Sequence, residues 1–394
     1  MLDELGMTPI EAAEQHVRGR GFVVFPDDAG EPIELPYVEG SEAITCHHEH
    51  FVTELRDRAR SHANLDYRPY VRASNVEPGS IECTEVRSRE TERVEADLVV
   101  GADGRSSVAR KALEEKDNQR VVSYMGALKL RDFQLPHEGF GHVILGGPGP
   151  ALMYRIAPDL VRVSLDVPLE GSELRRDDEA LFEAFRPVLP DWARPAIRRA
   201  IDEEGVQWAA TCFRPHVEYG RDGIALVGDA VGSYHPMTAM GMTSGFQDVA
   251  ALVDSPDLDA YRQRRARASY VPELLSSALY NVFQGEEKGA APLRKAVYQT
   301  WRADPDLCQR TMRLLSGSET RGWKFATTFF RIALRAGLQI GQTALREHGA
   351  AGLGEATRTL APCVSSLLAP LLPDQVKQRV RPNSSIESPF AGEA

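Results

Sequence analysis

Apolar positions change their period several times along this chain, and each change marks an element. FVVFPDDAGEPIELPY is an apolar run, a turn of Pro, Asp and Gly, and then alternating residues, which predicts a hairpin. FVTELRDRARSH repeats at helical spacing and predicts a short amphipathic helix. IECTEVRSRETERVEADLVVGAD reads as a meander of strands whose last member is apolar enough to be buried on both faces. Over 121–167 the runs VSYMGALKL, HVILGG, LMYRIA and VRVSLDV, separated by Gly and Pro turns, predict a mostly antiparallel sheet. GIALVG is again a buried strand, and from about residue 255 onward the pattern is helical. The polar, proline-containing end is predicted to be disordered.

The order is α/β, then a β insertion, then a return to α/β. The return implies that two distant segments build one nucleotide-binding-type domain, over 1–118 and 205–254. The inserted sheet, 119–204, is assigned to the substrate. A helical region, 255–382, and a tail, 383–394, complete the chain.

Two glycine-acid turns carry the candidate chemistry. In LVVGADGRSSVARKAL an apolar strand ends at Gly101, Asp103-Gly104 makes the turn, and Ser106 or Ser107 caps the next helix. In GIALVGDAVGSYHP a second strand ends at Gly228-Asp229. Each turn places a carboxylate at the C-terminal edge of a buried parallel strand, where open α/β sheets bind ligands. Glycine lets a ligand approach the backbone, and the acid suits a sugar or ribityl hydroxyl. Downstream, Gly241-Met242-Thr243-Ser244-Gly245 opens a helix whose free N–H groups favour an electron-rich ligand edge.

Composition narrows the class. A net charge of −11 gives no global basic field for nucleic acid. Cys46, Cys83, Cys212, Cys308 and Cys363 are scattered without a zinc spacing, which fits reduced thiols in a cytoplasmic protein. No signal peptide and no spanning apolar run is present. His47, His48 and His50 in CHHEH do not complete a ligand set, so no metal site is assigned. His235, before Pro236, is read as structural. No catalytic side chain is assigned.

ADLVVGADGRSSVARKAL and GIALVGDAVGSYHPMTAMGMTSGFQDV resemble the two later motifs of FAD-dependent monooxygenases of the aromatic-hydroxylase type. FVVFPDDAGEPIELPY, CHHEHFVTELRDRAR, HVILGGPGPALMYRIAPDLVRVSLDVP and the HPMTAMGMT loop narrow the resemblance to the squalene monooxygenase branch, over residues 15–255. It implies a Rossmann-like FAD-binding domain and FAD, reduced by NADPH directly or through a reductase. It also implies insertion of one oxygen atom from O2, through a flavin hydroperoxide, into a lipophilic terpenoid substrate. Hydroxylation of an aromatic, quinone or polyketide ring is the neighbouring reading. Such chemistry needs no dedicated nucleophile or metal. Carried over by position, Gly228 and Asp229 hold the ribityl or pyrophosphate portion, with Pro236 in the flavin loop. Gly241 and Met242 lie against the isoalloxazine, Asp103 and Gly104 brace the pyrophosphate, and Leu65 sits near the adenine side.

The sequence departs from that family in three places. The expected first strand, G-x-G-x-x-G and helix are missing; Gly19-Arg20-Gly21 is followed by strand-like residues. His50 replaces an arginine that reaches the phosphates, and Phe22 replaces a tyrosine. These departures support an alternative, a truncated homologue that binds lipid or a partner without catalysis. Arg321, Lys324, Arg331 and Arg335 form a basic stripe beside Trp323, Phe325, Phe329, Phe330 and Ile332. Extended by Leu367, Leu368, Leu371 and Leu372, it suits peripheral contact with an anionic membrane surface. RQRRARAS, 262–269, reads as a solvated helix face.

Overall fold

The computed structural model of the chain describes residues 16–38, 41–113, 119–216, 218–284 and 290–315, with residues 319, 321, 324, 327, 328 and 331 beyond them. The first strands are β1 (His16–Gly19), β2 (Gly21–Phe25), β3 (Ile33–Pro36) and β4 (Ala43–Cys46), followed by helix α1 (His48–Arg60). A meander of β5 (Val71–Glu77), β6 (Ser80–Glu85) and β7 (Thr91–Glu95) comes next, then β8 (Val99–Gly101) and α2 (Val108–Leu113). The inserted segment supplies β9 (Arg120–Arg131), β10 (Phe140–Ile144), β11 (Ala151–Ala157) and β12 (Leu160–Pro168), then α3 (Asp178–Phe185) and α4 (Arg194–Glu204). β13 (Gln207–Phe213), β14 (Gly220–Arg221) and β15 (Ile224–Leu226) lead into the helices α5 (Gly241–Asp254), α6 (Leu258–Gln284), α7 (Ala290–Ala303) and α8 (Pro305–Leu315).

The largest sheet has seven strands in the order β13-β9-β12-β11-β10-β2-β3. All its contacts are antiparallel except β10–β2, which run parallel with Val23 opposite His142. The hairpin forms where the pattern predicts it, but as the outer pair of this sheet. Residues 21–36 therefore join the inserted sheet rather than the nucleotide-binding segment 1–118, and β13 joins it from inside 205–254. Burial explains the placement. Val24, Ile33 and Leu35 continue the apolar face of Val143 and Leu145, and all five pack under Tyr280, Phe283, Val297 and Trp301 of α6 and α7. The opposite face, with Met153, Val161, Val163 and Leu165, is covered by Leu181, Phe185, Leu189 and Ile197. A sheet covered on both faces explains why β12, although Arg162, Ser164 and Asp166 alternate with its apolar residues, is buried along nearly its whole length. Each large apolar side chain removed from water contributes about 1.5–3 kcal/mol.

The two motif strands lie side by side: β8 pairs parallel with β15, Val99 opposite Ile224. Two segments far apart in sequence thus form one unit. The expectation that the first of these strands is buried on both faces is corrected. Val99 is buried, but Val100, which points to the other face of this edge strand, is 44% exposed. The solvated-face reading of RQRRARAS holds for Gln263, Arg264, Ala266 and Arg267, which are exposed, and is corrected for Arg265 and Ser269. Tyr261, Arg265 and Ser269, one helical turn apart on α6, are all buried. Among the described residues no helix is long and apolar enough to cross a membrane. In the basic stripe, Arg321 and Lys324 ion-pair with Glu319, and Arg331 approaches Asp304 at 4.0 Å. Arg335, the five apolar neighbours of the stripe and the four leucines lie outside the described residues, as do Cys363 and the tail.

Candidate functional site

The β8 and β15 strands end in glycine turns for the same reason: a backbone that must reverse at once with little room. Gly228 has φ +61°, a left-handed conformation that glycine adopts without strain, and its Cα packs against Gly245 of α5. Its N–H donates to Asp248 Oδ2 at 2.8 Å, while Arg265 Nε donates to Asp248 Oδ1 at 2.6 Å. Burial pushes the Asp248 carboxyl above its ordinary range, and Arg265 and the Gly228 N–H oppose that push. The ion pair thus fixes the turn to the helix that follows it.

The first turn is tied to the second by Arg110. Its guanidinium is buried and donates to the carbonyls of Ala230 at 2.8 Å and Arg105 at 2.6 Å. Asp103 acts locally, through Oδ2, which accepts the Val108 N–H at 2.6 Å. It caps α2 together with Ser107, whose Oγ accepts from Arg110 N. Ser107 and Asp103 therefore share the cap expected of Ser106 or Ser107. Gly104 is left facing open space, where no atom would meet an added Cβ within 4 Å.

Asp229 keeps part of its surface open to solvent, yet the protein around its carboxyl holds its pKa above the ordinary value. Burial is the cause, and Arg105 and His216 counter it. A carboxylate in that position is best stabilised by donors that arrive with a ligand. Beside it, α5 begins at Gly241 with no side-chain cap from Met240, leaving first-turn N–H groups directed outward. An added Cβ at Gly241 would meet nothing within 4 Å, and Met242 is 57% exposed. Pro236 is exposed on the loop that precedes this helix.

The other candidates divide. His50 is exposed in the first turn of α1, and its neighbour Phe51 meets Phe246 of α5 edge-on at 6.1 Å, which brings that turn near the site. Leu65 is 47% exposed in the turn after α1, where its N–H bonds His62. Phe22 packs edge-on against Tyr37 at 5.9 Å beside the core under α6–α8. Among the described residues no group of three or more His, Cys, Asp or Glu side chains could hold a metal.

Behind the Pro236 loop stands a buried polar cluster that the sequence did not disclose. His235 Nδ1 accepts the Met237 N–H at 3.3 Å. Ser123 Oγ of β9 lies 3.4 Å from His235 Nε2 and donates to Asp166 Oδ1 of β12 at 2.5 Å. The residue types are those of a nucleophilic triad, but the hydrogens run the wrong way, since serine donates to the acid and not to the imidazole. His216 braces the same loop by stacking on Tyr234 at 4.2 Å and contacting Glu273 through Nδ1 at 3.1 Å. Gly232 passes where a Cβ would lie 2.7 Å from that Nδ1.

Glycine turns open to a ligand, a ribityl-suited carboxylate and an uncapped helix start fit the expected FAD. Solved structures share this architecture, a fold found in flavin-dependent monooxygenases and halogenases. One is a probable FAD-dependent monooxygenase from Pseudomonas aeruginosa, at TM-score 0.61 and 20% identity, over 72% of this chain and 83% of that one. Another is a flavin-dependent brominase, at TM-score 0.65 and 15% identity, over 84% and 85%. The squalene epoxidase family model matches residues 95–350, and the chain belongs to that family. It is 26% identical to a squalene monooxygenase from Rattus norvegicus over 361 residues, 85% of this chain and 62% of the length of the rat protein.

Proposed function

We propose that the chain is an FAD-dependent monooxygenase that inserts one oxygen atom from O2 into a lipophilic, terpenoid-like hydrocarbon. The observation that carries the substrate class is a cleft among α6, α7 and α8. It is a small cavity of about 50 Å3 with an open mouth, lined by Leu275, Leu279, Phe283, Val297, Trp301 and Leu314. Its polar groups are turned on one another: Trp301 Nε1 donates to Thr311 Oγ1 at 3.3 Å, which donates to the Leu307 carbonyl at 2.9 Å. The wall therefore offers dispersion and no hydrogen bond, which selects an aliphatic ligand. Met237, on the loop carrying Pro236, belongs to the same apolar cluster as Phe283, Val297 and Trp301 of the cleft.

In this reading Asp229 accepts hydrogen bonds from the ribityl hydroxyls of FAD, next to its pyrophosphate, and Asp103-Gly104 lines the pyrophosphate side. The first turn of α5 directs its N–H groups at the electron-rich edge of the ring, with Gly241 and Met242 against its face. Reduced with electrons from NADPH, directly or through a reductase, FAD supplies the activation of O2. The apolar walls hold the hydrocarbon and exclude water from the reacting atoms.

The test is to titrate the full chain with FAD by flavin fluorescence, then supply NADPH, a reductase, O2 and a linear isoprenoid alkene. A product heavier by one oxygen atom is expected. FAD binding with no oxygenation of any alkene would refute the substrate class. Absence of FAD binding with retained hydrocarbon binding would favour the non-catalytic, lipid-binding alternative.

A further inference from the structure

The cluster behind the Pro236 loop has a direction that can be read hydrogen by hydrogen. A backbone N–H can only donate, so the Met237 N–H at 3.3 Å makes His235 Nδ1 an acceptor. In the neutral ring the proton is then on Nε2. That atom faces Ser123 Oγ at 3.4 Å and Asp166 Oδ1 at 3.5 Å. Ser123 accepts from Nε2–H, and its own hydroxyl proton goes to Asp166 Oδ1 at 2.5 Å. The chain closes with no hydrogen misplaced, and only an acceptor at its end allows that. The acceptor is Asp166, fully buried on β12.

The surroundings leave the imidazole no other way to sit. The Tyr280 ring lies 4.4 Å from the His235 ring, and the Tyr280 hydroxyl donates to the Val122 carbonyl at 3.0 Å and also meets the Ser123 side chain. Ser276 Oγ takes the His235 N–H at 3.3 Å. Asp166 Oδ2 is buried with no donor among the described residues, and Gly149 passes so close that an added Cβ would come 2.4 Å from the Asp166 carbonyl oxygen. The carboxylate thus has one working oxygen, and it points along the Ser123–His235 line. His235 in turn is the cap of the Pro236–Thr238 turn, three residues before Gly241 and Met242.

We propose that Asp166 is a positioning residue: through Ser123 it fixes His235 as the Nε2–H tautomer, and so holds the Pro236–Thr238 turn and the start of α5 in the geometry that faces the cofactor. The consequence for FAD rests on the function proposed above; the tautomer and the turn do not. Asp166 acts on the loop through one serine and one histidine, from a strand of the sheet, so it also sets how the sheet and the loop are spaced.

The experiment uses the full chain labelled with 15N-histidine and free of flavin. The wild type is expected to show His235 as the Nε2–H tautomer. Asp166→Ala is expected to give a mixture of tautomers, and Asp166→Asn to restore Nε2–H, since its carbonyl oxygen can still accept from Ser123. Hydrogen exchange of the 233–240 segment is expected to rise roughly five- to tenfold in Asp166→Ala, the loss of one ordinary hydrogen bond. The strands β9 and β12 are expected to stay protected. Ser123→Ala, which leaves the carboxylate in place, is expected to reproduce the mixture, and it serves if Asp166→Ala does not fold. A wild-type proton on Nδ1, or a tautomer unchanged in both alanine variants, would overturn the proposal. If the tautomer responds while the wild type binds no FAD, the positioning role stands and the flavin reading falls.

Discussion

Arg265 and Asp248 form a buried ion pair at 2.6 Å, with Arg265 4% and Asp248 1% exposed, and the pair holds the Gly228 N–H in place through the second carboxylate oxygen. Removing one member of a buried pair leaves the other uncompensated. Asp248→Ala is therefore expected to cost about 3–5 kcal/mol in urea unfolding. Asp248→Asn retains an acceptor for Gly228 and is expected to cost less. A loss under about 1 kcal/mol for the alanine variant would mean that the pair does not hold the turn.

Asp229 predicts an opposition between stability and ligand binding. Its folded pKa lies above the ordinary value because burial disfavours the charge, with Arg105 and His216 countering. An acid whose pKa is raised by folding contributes stability below its unfolded pKa and loses it as pH rises through the folded one. Asp229→Asn is accordingly expected to raise the melting temperature of the flavin-free chain at pH 7. The gain should vanish below about pH 3, where the wild-type carboxyl is also neutral. The same variant is expected to lose FAD retention. Equal melting temperatures at pH 7, or undiminished FAD content, would each contradict one half of this assignment.

These two sites differ in how far the sequence disclosed them. Gly228-Asp229 and the start of α5 were legible because a strand, a glycine turn and a helix start are contiguous and their chemistry is local. Arg265 was not, because a count of charges in RQRRARAS hides the buried line of Tyr261, Arg265 and Ser269. Asp166 was hidden differently. It is a polar position of an alternating strand, which reads as a solvent-facing one, and its partners are 43 residues away at Ser123 and, from Ser123, 112 away at His235. The seven-stranded sheet shows the same limit, since the apolar run of β2 forecasts a strand but not its parallel partner β10.

The cleft predicts a separation of cofactor and substrate effects. Ala278 lines it, on the wall formed by α6. Ala278 is itself buried and the cavity beside it measures about 50 Å3, so Ala278→Phe fills that space and is expected to cost about 1–3 kcal/mol through overpacking. Binding of a long alkene, followed by equilibrium partition, is expected to fall at least about tenfold, a loss of about 1.4 kcal/mol. FAD affinity is expected to be unchanged. A variant that binds alkene as well as the wild type would place the hydrocarbon elsewhere.

His142 gives the clearest pH signature. It is fully buried on β10, stacked on Phe25 at 5.5 Å and edge-on to Trp192 and His137 at 5.8 Å. Its Nδ1 bonds the Phe140 carbonyl at 3.0 Å, and Nε2 has no partner among the described residues. Burial lowers its pKa from 6.5 to about 4, and His137 adds to that, while the Phe140 carbonyl and Glu138 oppose it. The folded ring is neutral where the unfolded one takes up a proton, so the stability it contributes is present above pH 6.5 and declines as pH falls toward 4. Between about pH 7.5 and pH 5 the loss amounts to about 2 kcal/mol. His142→Phe keeps the stack, removes the orphaned Nε2 and cannot titrate. Its unfolding free energy relative to wild type is therefore expected to improve by about 2 kcal/mol on going from about pH 7.5 to pH 5. The measurement is a pair of urea titrations of each protein at the two pH values. Parallel curves would mean that the His142 ring is reached by water and protonated in the folded chain.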